Sequence, residues 1–263
     1  HLCNIDKAMN ILLVNDDGIY SNGLFVLWKY LSAEHNVTVV APLFEQSAVS
    51  HSISIYKPVR ISPINRSQGF EGYAVEGTPA DCVKTAFSPT IPHPEYDCIV
   101  SGINKGYNTA TNILYSGTVS AAAEGYFVNI PAIAVSTETN ASCLDDIALF
   151  IKGYINYWKE SDFFHKKLIM NINYPNRSKD EIQGLRFTRQ GTSYYKTSLD
   201  ERTDTMGRKY YWFSGEFMQD TDIESDDGAI SEGYISVSPL KFDLTDYSML
   251  ATLKEHEGKI WQR

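Results

Sequence analysis

The chain has 263 residues, 43% of them hydrophobic, with a formal net charge of −9 and a pI of about 5.1. Its length and apolar content suffice for one large domain with a sizeable core. The acidic balance excludes a broad electrostatic footprint for a nucleic-acid polymer, and no apolar run reaches the roughly 18 residues of a membrane-spanning helix, so neither polymer nor membrane is an expected partner.

Residues 1–8 precede Met9-Asn10-Ile11, which reads as a natural start, so they are expected to be a leader outside the fold. Asn10–Val14 is a short apolar run suited to a buried parallel strand. Leu24, Leu27, Trp28 and Leu31 follow at helical spacing. Residues 37–41 (VTVVA) form a second β-branched run closed by Pro42. Residues 52–61 alternate and contain Pro58, which predicts an edge strand or a bulge. A short strand is expected at 73–75. Thr78 then reads as an N-cap with Pro79 at the first helical position. Residues 98–100 are a buried strand, Gly117–Phe127 an Ala-rich helix, 132–136 a strand, 143–158 an amphipathic helix and 168–173 a strand. Strands separated by helices imply βαβ units and hence an α/β, Rossmann-like three-layer sandwich with a mainly parallel sheet.

The pattern changes after Pro175. Residues 186–191, 194–199, 209–217 and 233–237 read as strands, with a hairpin turn near Met206-Gly207, and 245–257 as a final helix. The expected organisation is a catalytic core at 9–176 and a β-rich extension at 177–263 within the same domain fold, the extension serving oligomerisation or acting as a lid. Cysteines stand at 3, 82, 98 and 143 with no C-x-x-C pair and no zinc spacing. The last three sit in or beside apolar stretches and read as buried thiols, which makes a reducing cytoplasm the expected location.

Ligands of an open parallel sheet bind beyond the carboxyl ends of its strands. The first strand ends in Asn15-Asp16-Asp17-Gly18, the second in a loop with Ser47, Ser50 and His51, and the strand at 98–100 in Ser101, Asn104, Lys105 and Asn108. Tyr115 to Thr118 open the Ala-rich helix. Two adjacent carboxylates need a positive partner, and carboxylate, hydroxyl and amide oxygens suit Mg²⁺ or Mn²⁺ better than zinc or copper. Competing assignments are a helix cap for one aspartate, a plain loop hydroxyl for Ser47, a turn residue for Asn104, a simple N-cap for Ser116 or Thr118, and a structural histidine for His51. Ser116-Gly117-Thr118 at a helix start is also a fair anion site.

Together these segments resemble one family. MNILLVNDDGIYSNG, VVAPLFEQSAVSHSISI, GTPADCV, VSGINKGYN, YSGTVSAAAEG and GYISVSPL occur in the order found in the survival protein SurE family, over nearly all the chain from Met9. The resemblance implies a metal-dependent 5′/3′-nucleotidase acting on nucleoside monophosphates, with short polyphosphate as a further substrate of some members. It implies one divalent ion per subunit held by Asp16, Asp17, Ser47 and Asn104, of which Asp16, Asp17 and Asn104 are the catalytic set. It places phosphate or substrate contacts at Asn15, Gly18, Lys105, Asn108, Ser116, Gly117 and Thr118, and pocket walls at Gly77, Thr78, Pro79 and Asp81. It also implies a homodimer or homotetramer built through a protruding hairpin and an exchanged C-terminal segment. Leu43 and Gln46 depart from the acidic and basic residues many members carry there, so no basic contact is expected from that loop.

Two other readings compete. An aspartyl-phosphate phosphatase needs two aspartates one residue apart, and here Gly18 takes the second slot. A nonenzymatic nucleotide sensor would bind without turnover. A dinucleotide oxidoreductase is disfavoured because no G-x-G-x-x-G follows the first strand.

Overall fold

The computed structural model describes residues 8–162, 164 and 167–258. All but one residue of the proposed leader, and Cys3 with it, lie outside them. The elements in chain order are β1 (Asn10–Val14), α1 (Asn22–Leu31), β2 (Asn36–Pro42), β3 (Ile61–Asn65), β4 (Glu71–Val75), α2 (Pro79–Ala86), β5 (Cys98–Lys105), α3 (Asn112–Tyr115), α4 (Gly117–Phe127), β6 (Ala132–Thr137), α5 (Leu144–Glu160) and β7 (Ile169–Asn173). They continue with β8 (Gly184–Phe187), β9 (Tyr194–Thr203), β10 (Lys209–Met218), α6 (Asp226–Ser231), β11 (Tyr234–Leu240) and α7 (Tyr247–Lys254).

Nine strands form one sheet in the order β3-β4-β2-β1-β5-β6-β7-β11-β8. The six strands from β4 to β7 run parallel, β3 pairs antiparallel with β4 and β11 with β7, and β8 lies parallel to β11. This is the mainly parallel sandwich the alternation predicts. β1 shows why its sequence is apolar throughout. Ile11 and Leu13 enter one core with α1 and α5, while Leu12 and Val14 enter the other with α2 and α4. A strand covered on both faces has no solvent side on which to place a polar residue. The chain leaves β1 toward β2 on one side and reaches β5 on the other, so the order of strands reverses between β1 and β5. Such a reversal opens a crevice at the strands' carboxyl ends.

Helix boundaries follow their caps. Thr78 accepts from Asp81 N while Asp81 accepts from Thr78 N, a complete capping box with Pro79 at the first position. Ser116 caps α4 by accepting from Val119 N. The predicted thiols Cys82, Cys98 and Cys143 are buried and unpaired, and burial pushes all three above their ordinary range.

Two expectations need correction. Residues 52–60 are not a strand; regular pairing begins only at Ile61. Pro58 offers no N–H to a ladder, and the segment is tied down instead by Ser54 N to Asp81 and by Thr78 Oγ1 to Ser52 O. The region after Pro175 is also less separate than its composition suggests. β11 inserts into the main sheet beside β7, β8 flanks it, and the short helix α6 was not anticipated. Only β9 and β10 stand apart, as a two-stranded arm exposed along nearly its whole length. Its turn at Gly207, with φ +79°, lies where the sequence places it.

Candidate active site

The crevice between β1 and β5 is where most of the predicted residues meet. Asn15, Asp16 and Asp17 leave the buried end of β1, and Gly18, at φ +94°, turns the chain toward α1. The asparagine is a brace: its Nδ2 donates to Gly18 O at 3.0 Å and to Ser21 Oγ, the α1 cap, at 2.7 Å. Asn15 therefore shapes the turn that presents the aspartates.

Asp16 is 5% exposed. Thr118 donates to it twice, from Oγ1 to Oδ1 at 2.5 Å and from the backbone N to Oδ2 at 3.1 Å. Gly117 permits this approach, since a Cβ there would lie 2.9 Å from Asp16 Cβ. Burial nevertheless dominates and pushes the Asp16 carboxyl above its ordinary range. Asp17 is pushed up to about 6, by burial first and by the neighbouring Asp16 charge second. Among the described residues its cationic neighbour is Lys105, whose Nζ stands 3.9 Å from Oδ1 and whose backbone N donates to Oδ2 at 3.2 Å. Glu45, which the sequence reading overlooked, adds to the negative field on both aspartates.

Asp16, Ser47, Asn104, Lys105, Asn108 and Ser116 line one cavity of about 200 Å³, together with Tyr107, Asn112 and Tyr115. Asn104 arrives there through an irregularity in β5, where the register against β6 shifts between Ser101 and Asn104. Its Nδ2 donates to Gly106 O at 2.7 Å, which turns the amide oxygen into the available acceptor. Ser47 Oγ donates to Glu45 at 2.6 Å, and its loop is held to the site by Gln46 N to Asp16 O and Ser50 N to Tyr115 O. Asn108 is fixed by Asn171, Asn173 and Ser136.

Other predicted residues sit elsewhere. Thr118 spends its hydroxyl and backbone N–H on Asp16, so it positions that carboxylate rather than offering those donors to a phosphate. Gly77 and Thr78 do not line the Asp16 cavity. Gly77 lies against Asp81 and borders a separate cavity of about 290 Å³ with Gln46 and Arg60. Thr78 is committed to its capping box. His51 is 2.8 Å from Glu124, a carboxylate buried in α4 that Lys84 also pairs at 2.7 Å. That makes His51 a strut between its loop and α4 rather than a group lining the Asp16 cavity. Glu124 was legible only as an acidic residue in an alanine run.

The donor set fits a hard divalent cation. Two carboxylates, a hydroxyl and an amide oxygen are the ligands such an ion takes. Among the described residues no three His, Cys, Asp or Glu side chains form a metal-holding group, so the hydroxyl and amide oxygens are needed to complete one.

The family model described as Survival protein SurE matches residues 11–197. The chain belongs to the survival protein SurE family. Relatives in the family include proteins named 5′-nucleotidase SurE from Syntrophobacter fumaroxidans, 41% identical over 93% of this chain and 98% of the relative, and from Thermoanaerobacter sp. strain X514, 40% identical over 96% and 100%. The crystal structure of the SurE protein from Aquifex aeolicus superimposes with a TM-score of 0.80 at 35% identity, covering 94% of this chain and 99% of that one. The SurE fold thus accounts for both the main sheet and its late strands β8 and β11, since the match extends far past residue 176.

Proposed function

We propose that this SurE-family chain is a 5′-nucleotidase, a metal-dependent phosphomonoester hydrolase that removes phosphate from nucleoside monophosphates. The observation that carries this reading is the meeting of Asp16, Ser47, Asn104 and Ser116 around one cavity at the strand-order reversal, with Asp17 held behind Lys105. The names of its relatives point the same way.

Asp16, Asp17, Ser47 and Asn104 would hold one Mg²⁺ or Mn²⁺, which when bound supplies Lewis acidity toward phosphate oxygens and a more acidic water. The chain's own groups do the rest. Thr118 locks Asp16 in one rotamer by gripping both its oxygens. Lys105 places a positive charge at the cavity rim, where phosphoryl oxygens would lie. Asn108, held by Asn171, Asn173 and Ser136, fixes the loop that follows Asn104. Asp16 or Asp17 would take the proton from the attacking water.

An oligomer, dimeric or tetrameric, is part of the proposal. Its support is the β9–β10 arm, which exposes Trp212 and Phe213 at 59% and 84%, more apolar surface than a solvated hairpin keeps without a partner. A cytoplasmic location fits the three unpaired buried thiols.

Phosphate release from a panel of nucleoside monophosphates, with Mg²⁺, with Mn²⁺ and with chelator, tests the reading. Turnover that requires the added ion is expected. Tight nucleotide binding without any phosphate release under either ion would favour a sensor instead.

A further inference from the structure

Ala110 lies in the loop between β5 and α3 and has φ +45°, a left-handed conformation in which its Cβ crowds the following carbonyl oxygen. It is 1% exposed, and both of its backbone polar groups are held by residues far along the chain. Its N donates to Asp226 Oδ2 at 3.0 Å, across 116 positions, and its carbonyl accepts from Gln190 Nε2 at 2.7 Å, across 80. The next residue adds a third tie, from Thr111 Oγ1 to Ser193 O at 3.1 Å. A strained backbone persists where its surroundings over-determine it, and such strain gathers at functional sites.

The grip is itself braced. Asp226 is fully buried, and its other oxygen accepts from Gly191 N at 2.8 Å and from Asp227 N at 2.9 Å. A Cβ at Gly191 would stand 2.7 Å from that oxygen, so glycine is what lets this segment close on the carboxylate. Asp226 N in turn donates to Arg189 O at 3.0 Å, and Ser193 Oγ accepts from Asp220 N at 2.8 Å.

What the grip controls is the chain that follows. α3 begins on the held residues, through Asn112 N to Thr109 O at 2.8 Å and Leu114 N to Thr111 O at 3.1 Å. It places Asn112 and Tyr115 in the wall of the Asp16 cavity. Asn108 before it is fixed by its own hydrogen bonds, and Ser116 after it by the α4 cap, so the conformation at Ala110 decides how the chain crosses between them. The proposed metal ligands are anchored by other bonds: Asp16 by Thr118, Asn104 by Gly106, and the Ser47 loop by Gln46 N to Asp16 O.

We propose that Asp226 and Gln190 are positioning residues for binding of the phosphate ester: by holding Ala110 left-handed they set Asn112 and Tyr115 against the substrate. The proposal rests on reading the Asp16 cavity as the phosphate site.

The test measures kcat and KM for adenosine 5′-monophosphate and p-nitrophenyl phosphate under Mn²⁺, and Mn²⁺ affinity by electron paramagnetic resonance of the free ion. Gln190→Ala should raise KM about three- to tenfold for both substrates, the loss of one hydrogen bond, and Asp226→Ala at least about tenfold, the loss of several. Both kcat and the Mn²⁺ Kd should stay within about threefold of native, as when substrate and transition state lose the same binding. Glycine adopts the left-handed conformation unaided, so Ala110→Gly added to Gln190→Ala should bring KM back to within about twofold of native. Were the two residues general supports of stability, the added glycine would loosen the chain further and KM would not return. A folded Gln190→Ala protein with native KM overturns the proposal. So does a Mn²⁺ Kd that rises in step with KM, or a KM that Ala110→Gly leaves unrestored. Gln190 is exposed, so its variant carries the test where Asp226→Ala does not fold. A native protein that releases phosphate from neither substrate overturns the phosphatase reading, and the positioning role with it.

Discussion

Asp17→Asn should stabilise the protein when metal is withheld. In the native chain the Asp17 carboxyl is pushed up to about 6 from an ordinary 3.8. Its ionised form is therefore penalised by about 3 kcal/mol at pH values well above 6, from a shift of about two pH units at 1.36 kcal/mol each. The folded state binds more protons than the unfolded state between the two values, so stability falls as pH rises from about 4 to about 6 and stays low above it. An amide of the same shape keeps an oxygen for Lys105 N and carries no charge. Thermal denaturation in chelator at pH 7.5 should show the variant about 6–12 °C more stable, at roughly 2–4 °C per kcal/mol for a chain of this size. At pH 4 the gain should shrink toward zero. Added Mg²⁺ or Mn²⁺ should reverse the order, because only the native carboxylate pair gains binding energy from the ion. A variant no more stable than the native chain in chelator at pH 7.5 would refute the electrostatic reasoning.

Other substitutions probe the supports of the site. Thr118→Val removes the 2.5 Å bond to Asp16 Oδ1, and should cost about 1–3 kcal/mol in melting experiments and at least about tenfold in kcat. Gly117→Ala would place a Cβ 2.9 Å from Asp16 Cβ and 3.0 Å from Pro79 Cγ. Overpacking of about 1–3 kcal/mol should appear in denaturant titrations, with activity lost to a displaced carboxylate. Asp226→Ala strips the acceptor from the amides of Ala110, Gly191 and Asp227. Faster hydrogen exchange at those three amides, with exchange in β1 and β2 little changed, is the expected signature of a loosened α6.

How much of this was legible in the sequence depends on whether the cause was local. The end of β1 was readable because a buried strand followed by Asp-Asp-Gly is a contradiction within one pentapeptide that only a site resolves. The α2 cap was readable because Thr78, Pro79 and Asp81 form their capping box with one another. The role of Thr118 was not, since its partner Asp16 lies 102 positions away and its spacing suits an anion-binding turn equally well. The same holds for β11. Alternation at 233–237 marks a strand, but only the register of Ser236 opposite Asn173 assigns it to the main sheet. Glu124 and His51 pair across 73 positions, and α6 is six residues with an acidic start, too short for helical periodicity to show. Residues 52–61 misled for a related reason: alternation there reflects exposure along a tethered loop, and no neighbouring strand was available to use it.

The proposed activity is hydrolysis of nucleoside monophosphates in the β1–β5 crevice with the help of a bound divalent ion. Its most direct test is phosphate release from adenosine 5′-monophosphate by protein stripped with chelator and then restored with Mn²⁺, run beside Asp16→Asn. Activity should vanish on stripping, return with Mn²⁺ in the native chain, and fail to return in Asp16→Asn. Full activity in the stripped native protein, or in the restored variant, would contradict the account.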